Sequence, residues 1–152
     1  AMAVMLVVEM ASPQNPVRED YRAVAEYLET HAEAQDIIAL SAPFTVYPVE
    51  YYYRGEANIV TLPLWDRYLH GPIPEFNPDT FATDVENTVA GHQSAWLVLS
   101  YDQGYQAQVK DYFDQHYTQL SKLTLSPGLD LYEYKVGYET PVDKFQKSTA
   151  LH

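Results

Sequence analysis

The chain has 152 residues, 47% of them hydrophobic, which is enough for one domain with a buried core and too apolar for extended disorder. Nine Lys and Arg stand against 21 Asp and Glu, and the net charge of −12 repels phosphate backbones and anionic headgroups. This argues against nucleic-acid binding and against charge-driven membrane attachment, and the absence of cysteine removes disulfides, thiolate metal sites and cysteine nucleophiles.

The first ten residues, AMAVMLVVEM, are apolar apart from Glu9. They fall short of the ~20 residues a bilayer span needs. No basic leading region or small-residue cleavage site accompanies them, so they do not read as a signal peptide. Two readings of residues 1–14 stay open: a strand of the sheet, or the trimmed end of a membrane helix from a longer parent.

Asn15 and Pro16 form a helix start, with Asn as cap and Pro in the first turn. Tyr21, Val24, Ala25 and Leu28 follow at helical spacing on one face. Ile37 to Leu40 is a short continuous apolar run, the pattern of a strand covered on both faces. Ser41 to Tyr47 reads as a loop, and Pro48 to Arg54 as a short helix closed by Gly55. In the run Tyr51-Tyr52-Tyr53, three successive rings cannot share one helical face, so one or two are expected inside and one outside.

Asn58 to Leu64 predicts the next strand, ended by Pro63. Residues 65–76 predict an irregular loop, and Asn77-Pro78 repeats the helix-start signature. Phe81, Val85, Thr88 and Val89 give that helix its inner stripe, and Gly91 ends it. Ala95 to Tyr101 is the strongest strand. Gln106 to Tyr117 predicts a helix with Val109, Tyr112, Phe113 and His116 facing inward. Lys122 to Ser126 and Leu129 to Val136 are strands joined by Pro127-Gly128, a connection so tight that the pair must be antiparallel. Residues 137–152 lack periodicity and read as a tail. The order predicts an α/β fold: a three-layer Rossmann-like sandwich with a mostly parallel sheet and a C-terminal antiparallel β-hairpin at one edge, formed by a single domain over residues 15–136.

Chemistry is hard to find in this pattern. With 6 Gly, the chain has no GxGxxG, no GxxxxGK[ST] and no GxSxG, which argues against nucleotide binding and against a serine elbow. Ser41 and Ser100 sit at strand ends, where the plain reading is loop capping. The five His show no metal-ligand spacing. Asp66 and His70 are four apart, but Pro72 and Pro74 make their loop irregular. No metal and no cofactor is expected.

Open α/β sheets place ligands at the carboxyl ends of their strands. Those ends supply Phe44 and Tyr47, then Trp65, Asp66, Tyr68 and His70, then Tyr101 and Asp102. Aromatic faces beside planar polar groups are what a sugar cleft uses, and equally what packing against another domain uses. A free-standing enzyme would draw its acid and base from Asp66, His70 or Asp102, and a protein-interaction domain would use the same rim for a partner.

One resemblance adds to this. The helix carrying Asp20, Tyr21, Arg22, Ala23, Ala25, Tyr27 and Leu28, the Gln35-Asp36 pair ahead of a strand, the Tyr52, Tyr53 and Gly55 element, and the run Trp96 to Ser100 together resemble one family. It is the C-terminal extracytoplasmic domain of polytopic membrane glycosyltransferases similar to dolichyl-phosphate-mannose protein mannosyltransferases. Gln35 stands where that family has Gly. The resemblance covers about residues 15–136 and implies an accessory domain at the extracytoplasmic face of the membrane, attached to the transmembrane part of the same chain. Glycan or a polyprenyl-phosphate sugar would be its ligand. The catalytic acid of such enzymes lies in a membrane-proximal loop near the N-terminus, so no catalytic residue carries over.

Overall fold

A computed structural model of the protein describes residues 19–137 of the 152. The apolar segment 1–14, the Asn15-Pro16 helix start and the tail beyond Gly137 lie outside the described residues. The described chain runs α1 (Tyr21–His31), β1 (Ile37–Ser41), a 3-10 turn (Pro43–Thr45), α2 (Val46–Tyr52), β2 (Asn58–Thr61), α3 (Pro78–Val89), β3 (Ser94–Ser100), α4 (Gln106–His116), β4 (Thr118–Ser126) and β5 (Leu129–Lys135). It is a mixed α/β fold on one five-stranded sheet of order β2-β1-β3-β5-β4.

β1 pairs in parallel with both β2 and β3, while β5 runs antiparallel to β3 and to β4. Four strands therefore point one way, and the hairpin ends the sheet at β4. The side-chain alternation of each strand sorts the core into two sets. Ile38, Leu40, Trp96, Val98, Leu129 and Leu131 meet Val24, Ala25 and Leu28 of α1 and Val46 and Val49 of α2. Ile37, Ala39, Leu97, Leu99, Tyr132 and Tyr134 meet Phe81, Val85 and Val89 of α3 and Val109 and Phe113 of α4. β1 and β3 are buried along nearly their whole length, which is why both read as unbroken apolar runs.

Local chemistry sets the boundaries. α1 starts at Tyr21 on an Asp20 cap, whose carboxylate accepts from Ala23 N at 2.9 Å. Asn77 caps α3 by accepting from Asp79 N at 3.0 Å, with Pro78 behind it, as the sequence predicts. α2 begins two residues earlier than expected and ends at Tyr52, because the 3-10 turn from Pro43 hands the chain directly into it. Gly55 does not close that helix. It lies against the Tyr53 ring, leaving no room for a Cβ. Of the three tyrosines, only Tyr53 is buried, and its hydroxyl accepts from Ala57 N at 3.1 Å. Two rings are outside rather than one, because Tyr53 has already left the helix.

β3 stops at Ser100 rather than Tyr101, which takes a left-handed φ of +56° and turns outward. Such a conformation is uncommon for a residue with a Cβ and costs ~1 kcal/mol or more. His116 does not face inward. It is exposed, stacks on Tyr112 at 4.0 Å and bonds the Tyr112 carbonyl through Nδ1 at 2.8 Å. α1 ends the same way, with His31 stacked on Tyr27 at 3.7 Å and bonded to its carbonyl at 2.8 Å. In both helices a Tyr-x-x-x-His spacing stacks the histidine on the tyrosine one turn back and adds a side-chain donor to that residue's carbonyl near the negative end of the helix.

Candidate functional site: an aromatic groove at the sheet edge

The chain leaves β1 towards β2 and returns from β2 to β3, so its crossovers diverge between β1 and β3. That divergence is where open α/β sheets ordinarily take ligands. Here the chain's own side chains close it. Ser41 is 2% exposed and Ser100 1%. Ser100 Oγ lies 2.6 Å from the Tyr21 hydroxyl, and Ser41 meets the hydroxyl of Tyr105. Burial pushes the Tyr21 phenol up to about 12, against the opposing pull of the Ser100 hydrogen bond, so it stays protonated and is no base. Tyr101 packs on Phe44 at 5.3 Å and donates to Glu19 at 3.0 Å. The two serines therefore hold loops, in line with the capping role expected at strand ends, each with a tyrosine that sequence patterning does not pair with it.

The open concavity lies beside this point, along edge strand β2. It encloses about 480 Å³, and Ile59, Val60 and Thr61 form one wall, facing Trp65, Arg67 and Tyr68 of the following loop. Thr61 positions that loop: its buried hydroxyl donates to the Pro63 carbonyl and accepts from Trp65 N, both at 2.9 Å. Tyr47, the second residue of α2, packs edge-on against Trp65 at 5.9 Å. Arg67 lies 5.8 Å from the Tyr47 ring centre and 5.2 Å from that of Tyr68, and it donates to the Glu50 carboxylate of α2. Glu50 and then Tyr68 hold the guanidinium more firmly protonated than usual.

The predicted site residues separate into groups. Trp65, Asp66 and Tyr68 line the groove, and Tyr47 joins them through Trp65. Tyr68 is 81% exposed and Tyr47 55%, so both rings are available, whereas Trp65 is half-buried against the core. Its indole N–H is the one buried side-chain polar atom without a hydrogen bond among the described residues. Phe44 and Tyr101 belong to the closed β1–β3 junction instead. Asp102 accepts from Gly104 N at 2.8 Å and Gln106 N at 3.2 Å, shaping the turn into α4. Asp66 accepts from Tyr68 N at 3.0 Å. His70 is exposed and outside the groove lining. The acid and base groups of the enzyme alternative are thus dispersed.

Arg67 and Glu50 are the residues that sequence patterning does not place in the site. Their separation of 17 positions links a loop to a helix, and no local pattern announces it. Among the described residues no three or more His, Asp or Glu are placed to hold a metal ion, and no helix is long and apolar enough to cross a membrane. No family model matches the chain, and no curated protein matches it either.

Proposed function

We propose that this chain is a non-catalytic accessory domain of a multi-pass membrane glycosyltransferase that uses a polyprenyl-phosphate sugar, at the extracytoplasmic face. Its helices cover both faces of the sheet in a three-layer, Rossmann-like sandwich. Glycan or acceptor contacts run through the β2 groove. The observation that carries this is the pairing of two exposed rings, Tyr47 and Tyr68, around an arginine fixed by Glu50. Ring faces stack on the apolar side of a pyranose, and a fixed guanidinium supplies planar donors to its hydroxyls. The resemblance stated for residues 15–136 points the same way.

A specific observation favours a protein-facing role for the surroundings of the groove. Seven large hydrophobic residues are exposed between positions 47 and 73: Tyr47, Tyr51, Tyr52, Leu64, Tyr68, Leu69 and Ile73. Of these, Leu64 and Tyr68 line the groove and Tyr47 packs on Trp65 beside it, an exposed apolar patch of the kind that serves contact. In the accessory-domain reading its partner is the transmembrane part of the same parent chain, with the groove at its margin.

Titration calorimetry with a panel of mannose- and glucose-containing oligosaccharides tests the glycan contact. Binding is expected to weaken about tenfold in Tyr68→Ala, the size of a lost aromatic contact. Glu50→Gln is expected to weaken it as well, by freeing Arg67. No heat with any member of the panel would remove the glycan contact.

A further inference from the structure

A second cavity, of about 550 Å³, lies at the opposite end of the sheet, where β3 begins and β5 ends. Its volume falls in the range of small-molecule sites. Glu86, His92, Tyr112, His116 and Tyr117 line it, over apolar contributions from Val89 and Val136.

The hydrogen bonds around it decide what kind of ligand fits. His92 Nδ1 lies 2.7 Å from the Gln35 carbonyl oxygen, and His116 Nδ1 lies 2.8 Å from that of Tyr112. A carbonyl only accepts, so each Nδ1 carries a proton, and in that tautomer Nε2 is the ring's acceptor. The Tyr112 hydroxyl has one proton for the Ala82 carbonyl and the Glu86 carboxylate, both 3.4 Å away. The donors of these three rings are thus already committed, while two imidazole nitrogens and a carboxylate remain to accept, and the Gln93 amide in the lining can do either.

The electrostatics agree. The cavity sits where α3 and α4 both end, and the last carbonyls of a helix carry partial negative charge. Glu86 adds a full one, on a chain of net charge −12. No Lys or Arg is among the described residues of the lining. Aromatic faces and an apolar floor suit a short alkyl stem.

We propose that this cavity binds a primary alkylammonium group, whose three N–H donors match the acceptors and whose charge matches the two helix ends and Glu86. The group can arrive on a free amine or on a lysine side chain of a peptide. The inference is independent of the glycan reading, because no groove residue takes part.

The test is a heteronuclear NMR titration of the full chain with n-butylammonium, with Nα-acetyl-lysine methylamide, and with n-butyrate as the anionic counterpart. Saturable shifts at the Gly91 and Gly137 amides and the His92 and His116 rings are expected with the two cations and not with butyrate. Tighter binding of butylammonium identifies a free amine as the ligand, and tighter binding of the lysine derivative a peptide. Glu86→Gln, an exposed change on α3 that leaves the fold intact, is expected to weaken cation binding about tenfold, as loss of a charge-assisted contact does. Absence of saturable shifts with both cations, equal binding of butyrate, or unchanged affinity in Glu86→Gln would each overturn the proposal.

Discussion

Asp36 shows how much one side chain can hold. It is 5% exposed, accepts from Trp96 Nε1 at 3.1 Å and from Glu33 N at 2.9 Å, and so joins the turn before β1 to the middle strand. Replacing it with Ala removes the acceptor and leaves a buried indole N–H and a loop amide unmatched. Asp36→Ala is expected to cost about 1–3 kcal/mol in urea unfolding, the desolvation penalty of an orphaned donor. Asp36→Asn keeps an acceptor and should cost less. The tyrosines carry a second consequence. Burial, more than any charge, raises the phenols of Tyr21, Tyr53, Tyr105, Tyr112, Tyr132 and Tyr134 above their ordinary value of 10.0. The folded chain thus holds protons that the unfolded chain releases near pH 10. Their contribution is complete below that pH and is lost as pH climbs towards the folded value, about 12 for Tyr21. Thermal unfolding followed by circular dichroism should therefore show Tm falling above pH 10, with tyrosinate absorbance rising in the same step. A Tm flat across that window would contradict this.

Among the elements, β1 and β3 are the most legible in the sequence, whereas β2 ends at Thr61 rather than Leu64 and β4 begins at Thr118, four residues before the expected Lys122. β1 and β3 are buried on both faces, so their sequences carry no polar alternation to confuse them with anything else. The Asn77-Pro78 start of α3 is equally plain, because capping is a matter of adjacent residues. Sequence patterning fails where a distant contact decides the outcome. Tyr101 leaves β3 to pack on Phe44 and reach Glu19, contacts 57 and 82 positions away in the chain, and no window of sequence contains them. The candidate site follows the same rule. Its aromatic rings are visible at strand ends, but the closure of the β1–β3 junction by Tyr21 and Tyr105, and the fixing of Arg67 by Glu50, depend on tertiary neighbours. The β4–β5 turn offers a clean test of local geometry. Gly128 has φ +79° and open space where a methyl group would stand, whereas Gly71 has equal space and no left-handed backbone. Gly128→Ala is expected to cost about 1 kcal/mol from backbone strain alone, and Gly71→Ala to be near neutral. Equal costs in the two variants would show that strain is not the deciding factor.

At the scale of the molecule, the two ends of the sheet differ in kind. The carboxyl end presents exposed aromatic and aliphatic residues around a groove that contains a fixed arginine. The other end presents acceptors and helix carboxyl termini. The accessory-domain role we propose would account for the first, with exposed apolar residues between positions 47 and 73 facing the membrane-embedded part of the parent and the groove facing the glycan. The reading frame on the N-terminal side of this chain tests that account most directly. Several upstream apolar segments of about 20 residues each, long enough to span a bilayer, are the predicted result. An upstream sequence without any such segment would contradict it.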